Sequence, residues 1–125
     1  MDKVVHFEIP FENKQRAMDF YSGCFGWQLM DMPQMNYVMA STVATDEQFR
    51  PTEAGGINGG LFQRPKEAPG PVIYIGVASV DDAISKVEAA GGKVVTPKTA
   101  IPGMGAYGRI SDPEGNVIGL FESAG

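Results

Sequence analysis

The chain has few of the residues that build catalytic clusters. Its 125 residues contain one cysteine, Cys24, and one histidine, His6. A lone cysteine closes no internal disulfide and supplies no thiolate set for zinc. A lone histidine excludes any site that needs two imidazoles. Ten basic residues stand against fifteen acidic ones, for a net charge of −5 and a pI near 4.7. The basic residues are scattered, with no run that could track phosphates, so nucleic acid is not expected as a partner. No apolar run reaches the length of a membrane span, and the start, Met1 to His6, lacks the apolar stretch of a signal peptide. The expectation is a soluble cytoplasmic protein with no membrane partner.

Glycine and proline, in contrast, are abundant. The 16 glycines and 9 prolines make up a fifth of the chain, where average usage gives about 12%. There is no collagen period, and 43% of the residues are hydrophobic, so short strands joined by tight turns explain the excess better than disorder does. Val4–Ile9 alternates as a strand and is expected to end at Pro10. Asn13 is placed to cap a helix carrying Ala17, Met18, Tyr21 and Cys24, with exit at Gly23 and Gly26. Residues 27–32 and 37–42 read as a hairpin, 45–54 as a surface loop and 57–63 as a glycine-rich strand. Residues 63–71 (QRPKEAPGP) form the clearest linker.

After that linker the order repeats. Residues 72–77 read as a strand, and Ser79 resembles a capping residue for a helix that buries Val80, Ala83, Ile84, Val87 and Ala90 and stops at Gly91-Gly92. Strands follow at 93–96, 106–111 and 116–122, the last after the Asp112-Pro113-Glu114-Gly115 turn. Strand–helix–strand–strand–strand therefore occurs twice. The match places His6 opposite Val72, Glu8 opposite Tyr74, and Gly60-Leu61-Phe62-Gln63 opposite Gly119-Leu120-Phe121-Glu122. The fold class is α+β: one domain over 1–125, with a first module at 1–66 and a second at 67–125.

Taken together, the strand–helix from His6 to Tyr21, Asp19-Phe20-Tyr21 ahead of Phe25-Gly26-Trp27, and the closing stretch from Ser111 to Glu122 resemble the vicinal-oxygen-chelate superfamily. That superfamily includes glyoxalase I, bleomycin-resistance proteins and extradiol dioxygenases. The resemblance implies two βαβββ modules whose curled sheets enclose a cavity, paired as a homodimer. In metal-dependent members four ligands point into the cavity. The corresponding positions here are His6, Gln63, Val72 and Glu122, and valine cannot ligate. The implied metal set is His6, Gln63 and Glu122, holding one divalent ion (zinc, nickel, manganese or iron) or none.

Catalytic candidates are Glu122, Glu8 and Tyr74, with Glu8 expected near the rim of the cavity. Leu61, Val72, Tyr74, Met104, Tyr107, Ile118 and Leu120 are the expected lining for a small, partly apolar organic molecule. Alternation puts Leu61 with Gln63, and Ile118 and Leu120 with Glu122, on faces opposite Phe62, Val117 and Phe121. Met30, Met32, Met35, Met39 and Met104 suit a pocket or a dimer seam. Cys24, Phe20, Phe25 and Trp27 are expected to be packed inside.

The leading reading is a small-molecule-binding protein of glyoxalase/bleomycin-resistance type with an incomplete metal site. The alternative is a divalent-metal-dependent lyase, isomerase or dioxygenase using His6, Gln63 and Glu122, with glyoxalase-like lyase or isomerase chemistry ahead of dioxygenase chemistry. A non-catalytic interaction module is the weaker third reading.

Overall fold

The structure, a computed structural model, describes residues 1–124. Eight strands and two α-helices are present among them. The chain divides into two compact units, residues 6–71 and residues 72–125 with the leading segment Met1–Val5. Each repeats the order strand, helix, three strands.

In the first unit, β1 (Val4–Phe11, whose first two residues group with the second unit) leads into α1 (Lys14–Phe25). There follow β2 (Gln28–Met32), a short 3-10 turn at Pro33–Met35, β3 (Tyr37–Ser41) and β4 (Gly59–Gln63). The strands lie in the order β2-β3-β4-β1, antiparallel except for the parallel β1–β4 pair. The second unit contains β5 (Val72–Gly76), α2 (Val80–Ala89), β6 (Lys93–Ile101), β7 (Gly105–Ser111) and β8 (Val117–Ser123). Their order, β5-β8-β7-β6, again has one parallel pair, β5–β8.

The helices start and stop where side-chain chemistry dictates. Asn13 accepts the Arg16 N–H at 2.9 Å, and Gly26 closes α1 in the left-handed region with φ 71°, which costs glycine little. Ser79 accepts the Asp82 N–H at 3.1 Å, and Asp81 and Asp82 sit in the first turn of α2, where negative charge is favoured.

β1 and β6 run past their expected ends. β1 runs through Pro10 to Phe11. The Phe11 carbonyl accepts the Arg64 N–H at 2.9 Å, so the odd residues of β1 bond to β4 and Pro10 turns its missing donor away from that ladder. β6 extends well past Thr96, and its pairing to β7 absorbs register shifts between Val94 and Thr99. Such bulges let a strand containing Pro97 stay in the sheet.

Each helix covers one face of its unit's strands. Phe11, Val38 and Leu61 are buried beneath Ala17, Met18 and Tyr21 of α1, with Ile9 and Leu29 alongside. Val80, Ile110 and Leu120 form the second core, with Ile75, Val77, Ala83, Ile84, Val87 and Ile118 packed on it. Leu61, Val38, Val72 and Val80 are fully enclosed.

α1 is the less deeply seated helix: Cys24 is exposed, and Phe20 and Phe25 stay 52% and 62% exposed. The interior positions expected for these three are thereby corrected. The α1 face that meets the core carries Ala17, Met18 and Tyr21, and Phe20 and Phe25 lie outside it, in ring contact with each other and with Tyr21. Tyr21 stacks on Trp27 at 4.9 Å between centroids, and Phe20 meets Phe25 edge-on at 6.0 Å.

Candidate functional site

Strand register decides which residues share the face that the helices leave uncovered. In the first unit the β1–β4 partners Glu8↔Gly60 and Pro10↔Phe62 point the same way. The β3 residues Tyr37 and Met39 join them, opposite Phe62 and Gly60, and Met30 continues the row on β2 opposite Met39. In the second unit Tyr74 lies beside Gly119, with Arg109 opposite Gly119 and Tyr107 opposite Phe121. These helix-free faces carry the polar groups best suited to meet a ligand.

On the first unit, His6 Nε2 and the Tyr37 hydroxyl share a hydrogen bond of 2.9 Å. The same nitrogen is 3.9 Å from Glu8 Oε2. Glu8 is 7% exposed, a buried carboxylate, and not the rim residue expected. The His6 pKa lies below its ordinary value because burial penalises the imidazolium, and the Glu8 charge opposes that shift without reversing it. The space for the Tyr37 ring is made by Gly60: a Cβ there would stand 1.9 Å from the tyrosine oxygen.

The second unit has a comparable arrangement. Arg109 Nε donates to the Tyr74 hydroxyl at 2.9 Å, and its guanidinium lies 5.3 Å from the Tyr107 ring centroid, within cation–π range. Tyr74 is 3% exposed, and a Cβ on Gly119 would come within 2.3 Å of its ring. In each unit, then, a glycine on the last strand makes room for a tyrosine whose hydroxyl is held by a basic side chain.

The remaining candidates divide between the two faces. Val72 is buried, and Tyr107 and Tyr74 belong to the helix-free face. Met104 is exposed in the turn between β6 and β7. Leu61, Ile118 and Leu120 lie under the helices as core residues, not as pocket lining. The alternation read from the sequence is correct, but α1 and α2 cover the face assigned to the pocket.

Glu122 shares that covered face. Its Oε1 accepts the Val80 N–H at 2.8 Å at the start of α2, and its Oε2 is 3.4 Å from Lys98 Nζ. The helix amide, more than Lys98, holds the carboxyl below the usual range. Gln63 donates its side-chain amide to the Phe11 carbonyl at 3.3 Å.

The family resemblance implies a divalent metal, and the donor set does not suit one. Glu122 is engaged by a helix N-terminus and a lysine. Gln63 is engaged by backbone. Beside His6 only Glu8 offers a charged ligand. Among the described residues no group of three or more His, Cys, Asp or Glu side chains is arranged to hold a metal ion.

Two participants were missed in the sequence, Tyr37 and Arg109. The repeat held a signal for the first: Tyr37 pairs with Phe62 as Tyr107 pairs with Phe121. Arg109 becomes visible only once β7 is registered against Gly119.

Comparison with known proteins supplies the family. The model of the Glyoxalase/Bleomycin resistance protein/Dioxygenase superfamily matches residues 3–120. The chain belongs to that superfamily. A curated relative, "Putative glyoxylase CFP32" of Mycobacterium tuberculosis, is 30% identical over 122 residues, 94% of this chain and 42% of the relative. The Mycobacterium bovis protein of the same name matches equally. The chain thus spans about two fifths of the length of the curated relatives it matches.

Solved structures agree on the fold of this glyoxalase-superfamily chain. A methylmalonyl-CoA epimerase in complex with methylmalonyl-CoA and NH4+ has a TM-score of 0.67 at 16% identity, covering 99% of this chain and 96% of its own. A hypothetical protein from Bacillus halodurans gives the same figures. Methylmalonyl-CoA epimerase from Mycobacterium tuberculosis scores 0.63 at 16% identity, over 98% of this chain and 88% of the epimerase. No helix among the described residues is long and apolar enough to cross a membrane.

Proposed function

We propose that the chain is a small-molecule-binding member of the glyoxalase superfamily that recognises its ligand with side chains of the helix-free faces and does so without a metal ion. The observation that carries this reading is the repeated pairing of a tyrosine hydroxyl with a basic side chain, Tyr37 with His6 and Tyr74 with Arg109, each at 2.9 Å. Such pairs hold hydroxyl groups in fixed positions, where they orient the oxygens of a ligand at little further cost in side-chain freedom. A neutral imidazole beside a buried carboxylate adds a group able to accept a proton from a bound molecule. The relatives named for glyoxylase and epimerase activity make small organic oxygen compounds, including thioesters, the first ligands to try.

Thermal shift of the whole chain against thiol conjugates, catechols, CoA thioesters and cationic antibiotics tests the reading. A ligand at 100 times its Kd adds about 2.7 kcal/mol of stability. The expected result is a hit that weakens at least tenfold in Tyr74→Phe or His6→Gln. Gly119→Ala, which drives a methyl into the Tyr74 ring, is expected to abolish it. Stoichiometric uptake of nickel, zinc, manganese or iron(II) that disappears in His6→Gln would overturn the metal-free reading. Absence of any hit across the panel would overturn ligand binding itself.

A further inference from the structure

The first unit carries a groove that the His6, Glu8 and Tyr37 cluster does not use. It has a volume of about 370 Å³ and is lined by Gln28, Met30, Met39, Ser41, Thr45 and Phe49, with Leu29 at its margin. The register explains the floor. Gln28 pairs with Ser41 and Met30 with Met39 across β2 and β3, and all four alternate onto the helix-free face, the face of Tyr37 two residues before Met39. The wall is a single loop.

That loop is built to present one ring. Asp46 Oδ1 accepts the N–H groups of Gln48 and Arg50 at 2.9 and 3.0 Å, and Asp46 Oδ2 accepts from Arg50 Nε at 3.2 Å. The Asp46 N–H in turn donates to the Arg50 carbonyl at 2.9 Å. Thr45 and Pro51 close the loop with an isolated bridge. Within this clasp Phe49 has φ 62°, a left-handed conformation that a bulky residue seldom adopts. A glycine or asparagine would fill a mere turn more comfortably. The loop instead holds a phenylalanine, 51% exposed, at the edge of a floor whose Met30 is 49% exposed.

We infer that this groove binds the flat, apolar end of an aromatic small molecule, clamped between the Phe49 ring and the Met30 and Met39 thioethers. Thioethers adapt to an irregular ring edge and attract it, and a phenylalanine ring offers an offset-stacked or edge-on partner. The volume lies within the ordinary range for small-molecule sites. Gln28, Ser41 and Thr45 rim the groove with groups that can meet a polar substituent. The inference rests on the proposed ligand-binding function and adds a ligand class: one with an aromatic ring, not only adjacent oxygens.

The probe is 2-naphthol, titrated into the full chain carrying 13C-methyl methionine. Ring-current shifts are expected at the Met30 and Met39 methyls and not at Met18 or Met104. Phe49→Gly, which relaxes the backbone while removing the ring, is expected to raise the Kd at least tenfold, and Phe49→Tyr is expected to preserve it. Shifts confined to other methionines, or an unchanged Kd in Phe49→Gly, would overturn the inference. If in the same samples His6→Gln or Tyr74→Phe still weakens a thermal-shift hit, the wider binding function stands and only the aromatic clamp falls. If no panel compound binds at all, the parent reading has failed.

Discussion

Burial and a neighbouring carboxylate act on His6 in opposite directions, and burial is the larger effect. The folded chain therefore binds the imidazole proton more weakly than the unfolded chain does. Below the ordinary histidine value of about 6.5 the unfolded state takes up more protons, so native stability falls as the pH drops through that window and is fully present above it. Urea denaturation at about pH 7.5 and about pH 5.5 measures this difference. Wild type is expected to lose more stability between the two values than His6→Gln, whose amide does not titrate. An equal loss in both proteins would show that the imidazole is no less basic in the fold than in the unfolded chain. The same neutral ring is what the site requires, since only an uncharged imidazole can accept a proton near neutral pH.

Glu122 belongs to the scale of elements because its work is done on α2. The carboxylate takes the Val80 N–H at the helix start and faces Lys98 from β6. It thereby ties β8 to the helix and the helix to β6. Its pKa is depressed, so its contribution is present above the unfolded carboxyl value and is lost as the pH falls below it. Glu122→Gln is expected to lower the Tm at neutral pH and to lower it by less at about pH 3, because the advantage of the depressed carboxyl fades as the pH falls. Scanning calorimetry at the two pH values checks this. In the sequence Glu122 is a chemically capable group at a strand end, which the family resemblance places in a metal set, and nothing there points to a helix start. Period-2 alternation sorts residues into two faces but does not say which face a helix will cover, so alternation alone cannot separate Leu61, Ile118 and Leu120 from the residues of the open face. Capping was legible throughout, because Asn13 and Ser79 act through bonds to residues three positions away. Tyr37 and Arg109 were not, because their roles depend on pairing between strands far apart in the chain.

At the scale of the whole molecule, the repeat gives the chain two cores. One is centred on Leu61, Val38 and Phe11, the other on Val80, Ile110 and Leu120, and they have no residue in common. The glycine-rich last strands serve both units alike, since Gly60 and Gly119 each make room for a tyrosine on the open face while the next residue, Leu61 or Leu120, enters the core. Leu61→Ala removes most of a fully enclosed side chain and is expected to cost roughly 2–5 kcal/mol. Ile110→Val removes one buried methylene from the other core and is expected to cost roughly 0.5–1.5 kcal/mol. Contacts that share no partner add, so the double variant should fall within about 0.5 kcal/mol of the sum of the two. Equilibrium urea denaturation of the four proteins closes the cycle, provided that the slopes agree and the transition is two-state. A coupling energy well beyond that margin would mean that the two clusters behave as a single core, and the description of the chain as two separately packed repeats would have to be given up.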